Sequence, residues 1–391
     1  MHIKKIFILN LLIVLCGHLS FGQIITGAER TERYFPLLQH KKVAVCLNPT
    51  SVIGNTHLVD TLVSAKINIV KIFAPEHGFR GEAEAGATIH SSTDFKTGIP
   101  IVSLYGKNKK PTPEQLKDVD VILFDIQDVG CRFFTYISTL HYVMESAAET
   151  LIPLFILDRP NPNGYFVDGP VLEEKFKSFV GMHSVPVVHG MTIGEYAQMI
   201  NGEKWLENNL VCELHVIECK NYTHRNRYSL PIKPSPNLGS DEAIYLYPSL
   251  CLFEGTDISV GRGTPTPFQI YGSPNLTAGN YFFTPKPIQG VSENPPHNGK
   301  ECRGYDLTKE ARNNLQGNNC FNISYLLNAY HHFPKEMKFF TNPDFFDKLA
   351  GNSTLRWQII NGRTEEEIRA SWQPALESFK KMRNQYLIYP E

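Results

Sequence analysis

The chain has 391 residues, which is more than a single hydrophobic core usually organises, so we expect two domains. Hydrophobic residues make up 42% of it and charged residues 20%, a composition that is typical of a globular protein and excludes a disordered one. The formal net charge of -1 lacks the basic excess of nucleic-acid binding proteins, so no nucleic-acid partner is expected.

The N-terminal segment has the pattern of a secretory signal peptide. A positive start, an apolar run over residues 6–15 and the small residues Ser20 and Gly22 precede a cleavage site before Gln23. The alternative is a membrane anchor, but the run is too short to cross a bilayer comfortably. We therefore expect a signal over residues 1–22, export to the periplasm or beyond, and no stable membrane insertion.

Apolar strand-like segments and helical segments alternate through the first half of the chain. The predicted strands cover residues 43–48, 67–74, 99–105, 119–125, 153–158, 185–188 and 210–219. The predicted helices cover residues 57–65, the segment after Thr112, and residues 136–150 and 193–200. Nearly continuous apolar strands separated by helices are typical of a buried parallel sheet with helices on both faces. The pattern predicts an α/β protein with a parallel-sheet domain over residues 23–215.

The second half is less regular and richer in proline and glycine. After a proline-rich connection it offers a strand at 279–283 and helices at 322–332 and 364–386. The apolar stripe of the last helix is interpreted as core packing. We expect a smaller α+β domain over residues 216–391. The eight cysteines are widely spaced and form no CxxC pair, so most are interpreted as small buried hydrophobic residues.

Polar residues follow the predicted strands at the points that a parallel sheet brings to one edge, where ligands bind. The candidate substrate-binding residues at this edge are His77, Arg80, Asp125, Gln127, Arg132, Tyr136, Asp158, Arg159, Asn161 and His189. For any one loop the alternative is an ordinary polar surface. For Arg159 the alternative is a salt bridge with the adjacent Asp158.

Glu76 is the leading candidate for acid–base chemistry. It follows an apolar strand, so partial burial is expected to raise its pKa and keep it protonated, as a general acid for a glycosidic oxygen requires. The alternative is a loop or helix cap. Glu254 is the candidate second carboxylate, and Arg262 nearby is a candidate anion binder. The alternative for their glycine-rich segment is a structural loop that only forms turns.

Sequence motifs for cofactors are absent from the chain. It has no GxGxxG, Walker, HExxH or GxSxG motif, so we expect neither a nucleotide cofactor nor a metal.

Several of these stretches together resemble a known family. They are residues 74–81, 124–136, 157–162, 168–170, 178–181, 189–195, 234–237, 253–256 and 261–264, which follow in order through nearly the whole mature chain. The chain is similar to the exo-β-N-acetylmuramidases, bacterial peptidoglycan glycosidases formerly known as a domain family of unknown function. Asn275 departs from the pattern, because an aromatic residue is expected there, and this puts one sugar-stacking contact in doubt.

The resemblance implies a Rossmann-like domain, a smaller C-terminal domain and an active site in the cleft between them. It implies release of N-acetylmuramic acid from the non-reducing ends of peptidoglycan fragments, with Glu76 as the leading catalytic residue. Since muramic acid carries a lactyl carboxylate, we expect Arg132, Arg159 or Arg262 to lie within salt-bridge reach of it. The competing hypotheses are a non-catalytic binder of cell-wall fragments and an esterase or amidase acting on the same polymer.

Overall fold

The fold was analysed in a computed structural model, which describes residues 22–76, 78–80, 92–315 and 321–391. The predicted signal peptide lies outside the described residues except for Gly22, and His77 lies outside them too.

The strands are β1 (Lys42–Leu47), β2 (Val52–Ile53), β3 (Thr56–His57), β4 (Asn68–Ala74), β5 (Ser92–Thr93), β6 (Pro100–Ser103), β7 (Val121–Asp125), β8 (Leu154–Leu157), β9 (Leu214–Ile217), β10 (Ile270–Ser273), β11 (Tyr281–Phe283) and β12 (Cys302–Asp306). The helices are α1 (Thr31–Leu38), α2 (Leu58–Ser64), α3 (Pro113–Leu116), α4 (Tyr136–Thr150), α5 (Ile193–Gly202), α6 (Asp241–Leu250), α7 (Thr308–Asn314), α8 (Ser324–His331), α9 (Pro343–Ala350), α10 (Thr354–Ile360) and α11 (Glu365–Arg383).

A seven-stranded sheet organises the first half, in the order β5-β6-β4-β1-β7-β8-β9. All neighbouring strands are parallel except β5, which is antiparallel to β6. Numbered along the chain, the six parallel strands follow the Rossmann order 3-2-1-4-5-6. The order reverses between β1 and β7, and a ligand crevice is expected beyond the carboxyl ends of those strands. The predicted α/β fold is confirmed.

The two faces of this sheet bury different cores. Because strand side chains alternate, Cys46 and Phe124 pack with α4 and α5, whereas Val45 and Leu123 pack with α1 and α2. The first core continues into helices of the second half, among them Phe346 and Trp372. The packing therefore joins the C-terminal region to one face of the sheet.

Three helices begin at the capping residues that the sequence predicts. Predicted capping boxes satisfy backbone N–H groups at three helices: Thr112 with Gln115, Thr192 with Glu195, and Thr364 with Glu367. Helix α4 covers the predicted residues. The predicted strand at 185–188 is wrong, because Val188 forms single bridges with Cys131 and Asp168 and does not join the sheet.

The second half contains a three-stranded antiparallel sheet, β10-β12-β11. Strands β10 and β12 were not predicted because glycines interrupt them. Gly272 pairs with Gly304, and a Cβ at Gly304 would lie 1.8 Å from the carbonyl oxygen of Tyr271. The close approach of these backbones therefore requires glycine, which in a sequence resembles a loop.

Six cysteines are buried free thiols, as expected for most of them: Cys46, Cys131, Cys212, Cys219, Cys251 and Cys302. Cys16 and Cys320 lie outside the described residues. In the part of the chain that the structure describes, no helix has the length and apolar character needed to cross a membrane.

Candidate active site

Glu76 lies two residues beyond β4, half-buried at the carboxyl edge of the sheet. Thr135 Oγ1 donates a hydrogen bond of 2.9 Å to its Oε2. Thr135 is the N-cap residue of α4, but its side chain makes no cap hydrogen bond. The hydroxyl that would ordinarily cap the helix therefore holds the Glu76 carboxyl group beside the helix N-terminus.

Two tyrosines complete the surroundings of Glu76. Burial raises the pKa of Tyr105 to about 12, and the charge of Glu76 and a hydrogen bond to it contribute. Tyr105 therefore remains a phenol at neutral pH. Burial also raises the pKa of Tyr136, with Glu76 as the next cause. Tyr136 is buried, and its hydroxyl donates to the Pro234 carbonyl at 3.3 Å.

A chain of aromatic contacts connects this edge to the second half. Phe133 and Phe134 meet the ring of Tyr247 edge-on at centroid distances of 5.4 and 5.9 Å. Tyr247 contacts Phe268 at 5.0 Å, and the Arg262 guanidinium lies 5.0 Å from that same ring. The rings of Phe133 and Phe134 both pack in the core.

Glu254 and Arg262 form an ion pair at the end of these contacts. Nε and Nη2 of Arg262 both lie 2.7 Å from Glu254 Oε1. Each side chain retains 23% exposure. Burial lowers and the Glu254 charge raises the pKa of Arg262, with a net increase, so the guanidinium stays charged. The glycine-rich loop therefore presents a fixed, solvent-accessible cation.

Asp125 and Arg159 are brought together, but as a buried ion pair within the sheet edge. Arg159 Nε and Nη2 lie 2.5 and 2.8 Å from the two oxygens of Asp125, and Nη2 also reaches the Val52 carbonyl at 3.1 Å. The salt bridge considered at the sequence level is thus present, with Asp125 as the partner instead of Asp158. Both side chains are consumed by this contact, which does not support a substrate-binding role.

Arg132 is likewise used inside the protein. It is fully buried and donates to the carbonyls of Pro170, Val185 and Leu349 at 2.8, 2.7 and 2.8 Å. Burial lowers its pKa to about 10, so the guanidinium is still charged at neutral pH. The expectation that Arg132 meets a substrate carboxylate is corrected by this geometry, because its N–H groups bridge the two halves of the chain.

Arg80 is also paired internally. It donates to Asp94 through Nε and Nη2, at 2.8 and 3.0 Å, and to Asp60 at 3.1 Å. The hydrogen bonds from Arg80 hold the pKa of Asp94 down to about 2, although burial opposes them. Arg80 therefore secures the segment after β4 and is not directed at a ligand.

Gln127 and Asn161 stabilise loops at the sheet edge. The Gln127 amide donates to the carbonyls of Asp128 and Pro160, each at 2.8 Å. The Asn161 amide donates to the Met191 carbonyl at 2.8 Å. Both side chains are buried, so the structure gives them loop-stabilising roles in place of the predicted substrate contacts.

Asp158 holds the C-terminal segment, and His189 is buried nearby in the chain's core. Asp158 Oδ2 accepts a 2.6 Å hydrogen bond from Tyr389, and burial raises the pKa of Asp158 to about 6. His189 is buried and neutral, because burial, followed by the charges of Arg383 and Arg132, lowers its pKa to about 3. Neither residue reaches solvent, so their predicted substrate contacts are corrected.

Metal-ligand geometry occurs in one group of described residues, Glu145, Glu149 and Glu207. Lys110 Nζ lies 2.5 and 2.7 Å from the first two carboxylates. The ammonium already supplies the positive charge there, so these residues give no reason to infer a metal.

Two residues beside Glu76, Thr135 and Tyr105, were missed by sequence reasoning. For Thr135 the signal was its place immediately before the predicted helix. Asn275, where an aromatic was expected, instead donates to Asp257 at 3.1 Å.

The protein is a two-part α/β protein with a candidate catalytic carboxylate at the carboxyl edge of a Rossmann-like sheet.

The comparisons with known proteins identify the family to which this fold and site belong. Residues 43–242 match the N-terminal domain, and residues 245–389 the C-terminal domain, of the exo-β-N-acetylmuramidase NamZ family. The peptidoglycan β-N-acetylmuramidase NamZ of Bacillus subtilis strain 168 is 40% identical over 375 residues, covering 91% of this chain and 89% of that protein.

Two crystal structures of DUF1343 family proteins from Bacteroides fragilis share the fold. One is 47% identical with a TM-score of 0.86, and the other 30% identical with a TM-score of 0.78. Each comparison covers 94% of this chain and 99% of the other. The chain belongs to the exo-β-N-acetylmuramidase NamZ family and is a glycoside hydrolase.

We expect Arg159→Met to lower the free energy of unfolding by about 3–5 kcal/mol, because it leaves the Asp125 carboxylate buried without its partner. Urea denaturation monitored by circular dichroism measures this. The control is Arg312→Ala, which breaks an exposed pair with Glu242 at 2.9 Å and is expected to cost less than about 1 kcal/mol. Equal effects of both substitutions would contradict a structural role for the buried pair.

Asp128 makes stability depend on pH. Burial raises its pKa to about 7 from an ordinary 3.8, although backbone N–H groups oppose the shift. The protonated Asp128 side chain therefore contributes to the free energy of unfolding below pH 4, and this contribution is lost as the pH rises through 7. In Asp128→Asn, whose amide cannot ionise, stability relative to wild type should rise from pH 4 to 8, by up to about 4 kcal/mol. A difference that stays constant over this range in urea titrations would show that Asp128 does not titrate this way.

Proposed function

We propose that this enzyme is exo-acting and releases N-acetylmuramic acid from the non-reducing ends of peptidoglycan fragments. The observation that carries the proposal is the placement of Glu76, half-buried and held by Thr135 Oγ1 at 2.9 Å beside a Rossmann switch point. The Bacillus subtilis relative, a peptidoglycan β-N-acetylmuramidase, supports the choice of polymer. Export, predicted from the N-terminal segment, would bring the enzyme to that polymer.

Glu76 is proposed as the acid–base group. A glycosidic oxygen needs a proton as the bond to the sugar breaks, and a protonated Glu76 would donate it while water attacks the sugar carbon and passes its own proton to a base. The Thr135 hydroxyl fixes one oxygen of the carboxyl group, so little reorganisation is needed when substrate binds. Thr135 belongs to the first half, which would supply the acid–base side of the reaction.

Arg262 is proposed to bind the lactyl carboxylate. Of the three arginines considered at the sequence level, Arg132 and Arg159 are consumed by buried contacts, and Arg262 alone keeps 23% exposure. Glu254 binds one edge of the Arg262 guanidinium and so fixes its orientation. A carboxylate that displaces water beside this cation gains a charge-assisted hydrogen bond. The role of Glu254 as a second catalytic carboxylate stays a prediction.

We expect Glu76→Gln to lower kcat on a chromogenic β-N-acetylmuramic acid glycoside by about 10²–10⁴-fold, because the amide cannot transfer the proton. Binding of an intact muramyl fragment, measured by calorimetry, should change little, since the amide keeps the acceptor that meets Thr135. Glu29→Gln, outside the site, is the control and should retain full turnover. Undiminished turnover in Glu76→Gln would reject the acid–base assignment, and wild-type binding without turnover would favour the non-catalytic binder.

Arg262→Gln should raise KM for the muramic acid glycoside by about 10–100-fold and leave the glucosamine analogue, which has no lactyl group, nearly unaffected as a substrate or inhibitor. Glu254→Gln separates two roles. If Glu254 only positions Arg262, the variant raises KM for the muramyl compound selectively; if it is catalytic, kcat falls. If the Arg262→Gln enzyme prefers the muramic acid compound over the glucosamine analogue as strongly as wild type does, Arg262 does not recognise the carboxylate.

A further inference from the structure

The C-terminal region contains an open groove that is separate from the Glu76 site. Helices α8 and α10, the connection 332–342 and the start of α11 enclose about 900 Å³. We call this the aromatic groove, after its lining residues Tyr330, Phe333, Phe339 and Phe340.

The groove leaves large apolar side chains exposed. Met337 and Ile360 line it and are 44% and 49% exposed, and Trp357, one turn before Ile360, is 54% exposed. These three belong to the nine exposed large hydrophobic residues found in the part of the chain that the structure describes. Such clustering is uncommon on a surface that only meets water, and it is typical of a binding surface.

The charge around the groove is positive. Lys335, Lys338, Arg356 and Arg363 line it, against the single lining carboxylate Glu365, in a chain whose formal net charge is -1. Arg356 is bound to Asp347 at 2.7 Å and Arg363 to Glu367 at 3.1 Å. Lys335 and Lys338 are both exposed, and neither forms a salt bridge within the described residues. The groove thus complements a partner that is anionic and has apolar faces.

The groove wall is bonded to the loop that carries the Glu254–Arg262 pair. The Phe339 carbonyl accepts from the Asp257 N–H at 2.8 Å, and the Asn342 N–H donates to the Gly255 carbonyl at 3.1 Å. Gly255 and Asp257 follow Glu254 within three residues. The groove wall is therefore hydrogen-bonded to the segment between Glu254 and Arg262.

We propose that the aromatic groove is a second, non-catalytic binding site for a peptidoglycan strand. This rests on the proposed function, since it takes the substrate polymer as the occupant. Sugar rings present apolar C–H faces that pack on the exposed Met337 and Ile360 and on the partly exposed ring of Tyr330, while lactyl and peptide carboxylates pair with Lys335 and Lys338. Two attachments to one polymer make the second binding event intramolecular, which can raise overall affinity by about 10²–10⁴-fold.

The experiment compares insoluble and small substrates. The groove variants are Lys335→Glu with Lys338→Glu, and separately Ile360→Ala, at an exposed lining residue. The matched charge control is Lys41→Glu with Lys117→Glu, two exposed lysines of the first domain. Co-sedimentation with purified sacculi gives the apparent Kd, and the chromogenic muramic acid glycoside gives kcat/KM.

We expect both groove variants to raise the apparent Kd for sacculi at least tenfold, while kcat/KM on the small glycoside stays within twofold of wild type. Binding equal to that of wild type, or an equal loss in the charge control, overturns the groove proposal. It is also overturned if the variants change only self-association in sedimentation velocity, which would assign the groove to a second copy. Failure of wild type to cleave the small glycoside would instead reject the proposed function, because sacculus binding is measured independently.

Discussion

The buried ion pair between Asp125 and Arg159 is the contact on which the carboxyl edge of the sheet depends. Asp125 ends β7 and Arg159 follows β8, so the pair ties two neighbouring strands at the side where the loops leave. Arg159 also reaches the Val52 carbonyl in the β2–β3 hairpin. Two charges without water are tolerated only with this bidentate geometry and the additional hydrogen bond. Loops that carry Glu76 and Thr135 are then supported by a fixed frame.

The parallel sheet could be predicted from sequence because its strands are apolar and its helices carry capping boxes. These signals are local, so the six parallel strands and α4 lie within a few residues of their predicted positions. The antiparallel sheet of the second half could not be predicted, because its register rests on glycines such as Gly272 and Gly304, whose contacts come from distant parts of the chain. The domain boundary near residue 215 stays a prediction.

The site was harder to predict for a different reason. Residues after a strand meet at one edge, but the sequence does not show whether a polar side chain there turns inward or toward a ligand. Arg132 and His189 are buried, whereas Arg262 keeps part of its surface. The sequence motifs therefore indicated the correct edge of the sheet. They overestimated how many residues at that edge are exposed enough to contact a ligand. Thr135, inside the same motif, contacts Glu76 through a hydroxyl that a helix cap would ordinarily use.

The two halves of the chain contribute different kinds of group, and this constrains how they work together. The first half brings the Glu76 carboxyl group with the Thr135 hydroxyl, and the second half brings the Arg262 guanidinium fixed by Glu254. Phe133, Phe134 and Tyr247 pack between them, so a change in the angle of the two halves would disturb a close-packed contact. Core packing thus sets the distance between Glu76 and Arg262. Under the proposed roles of these two residues, a substrate is selected by whether its carboxylate and its scissile bond match that distance.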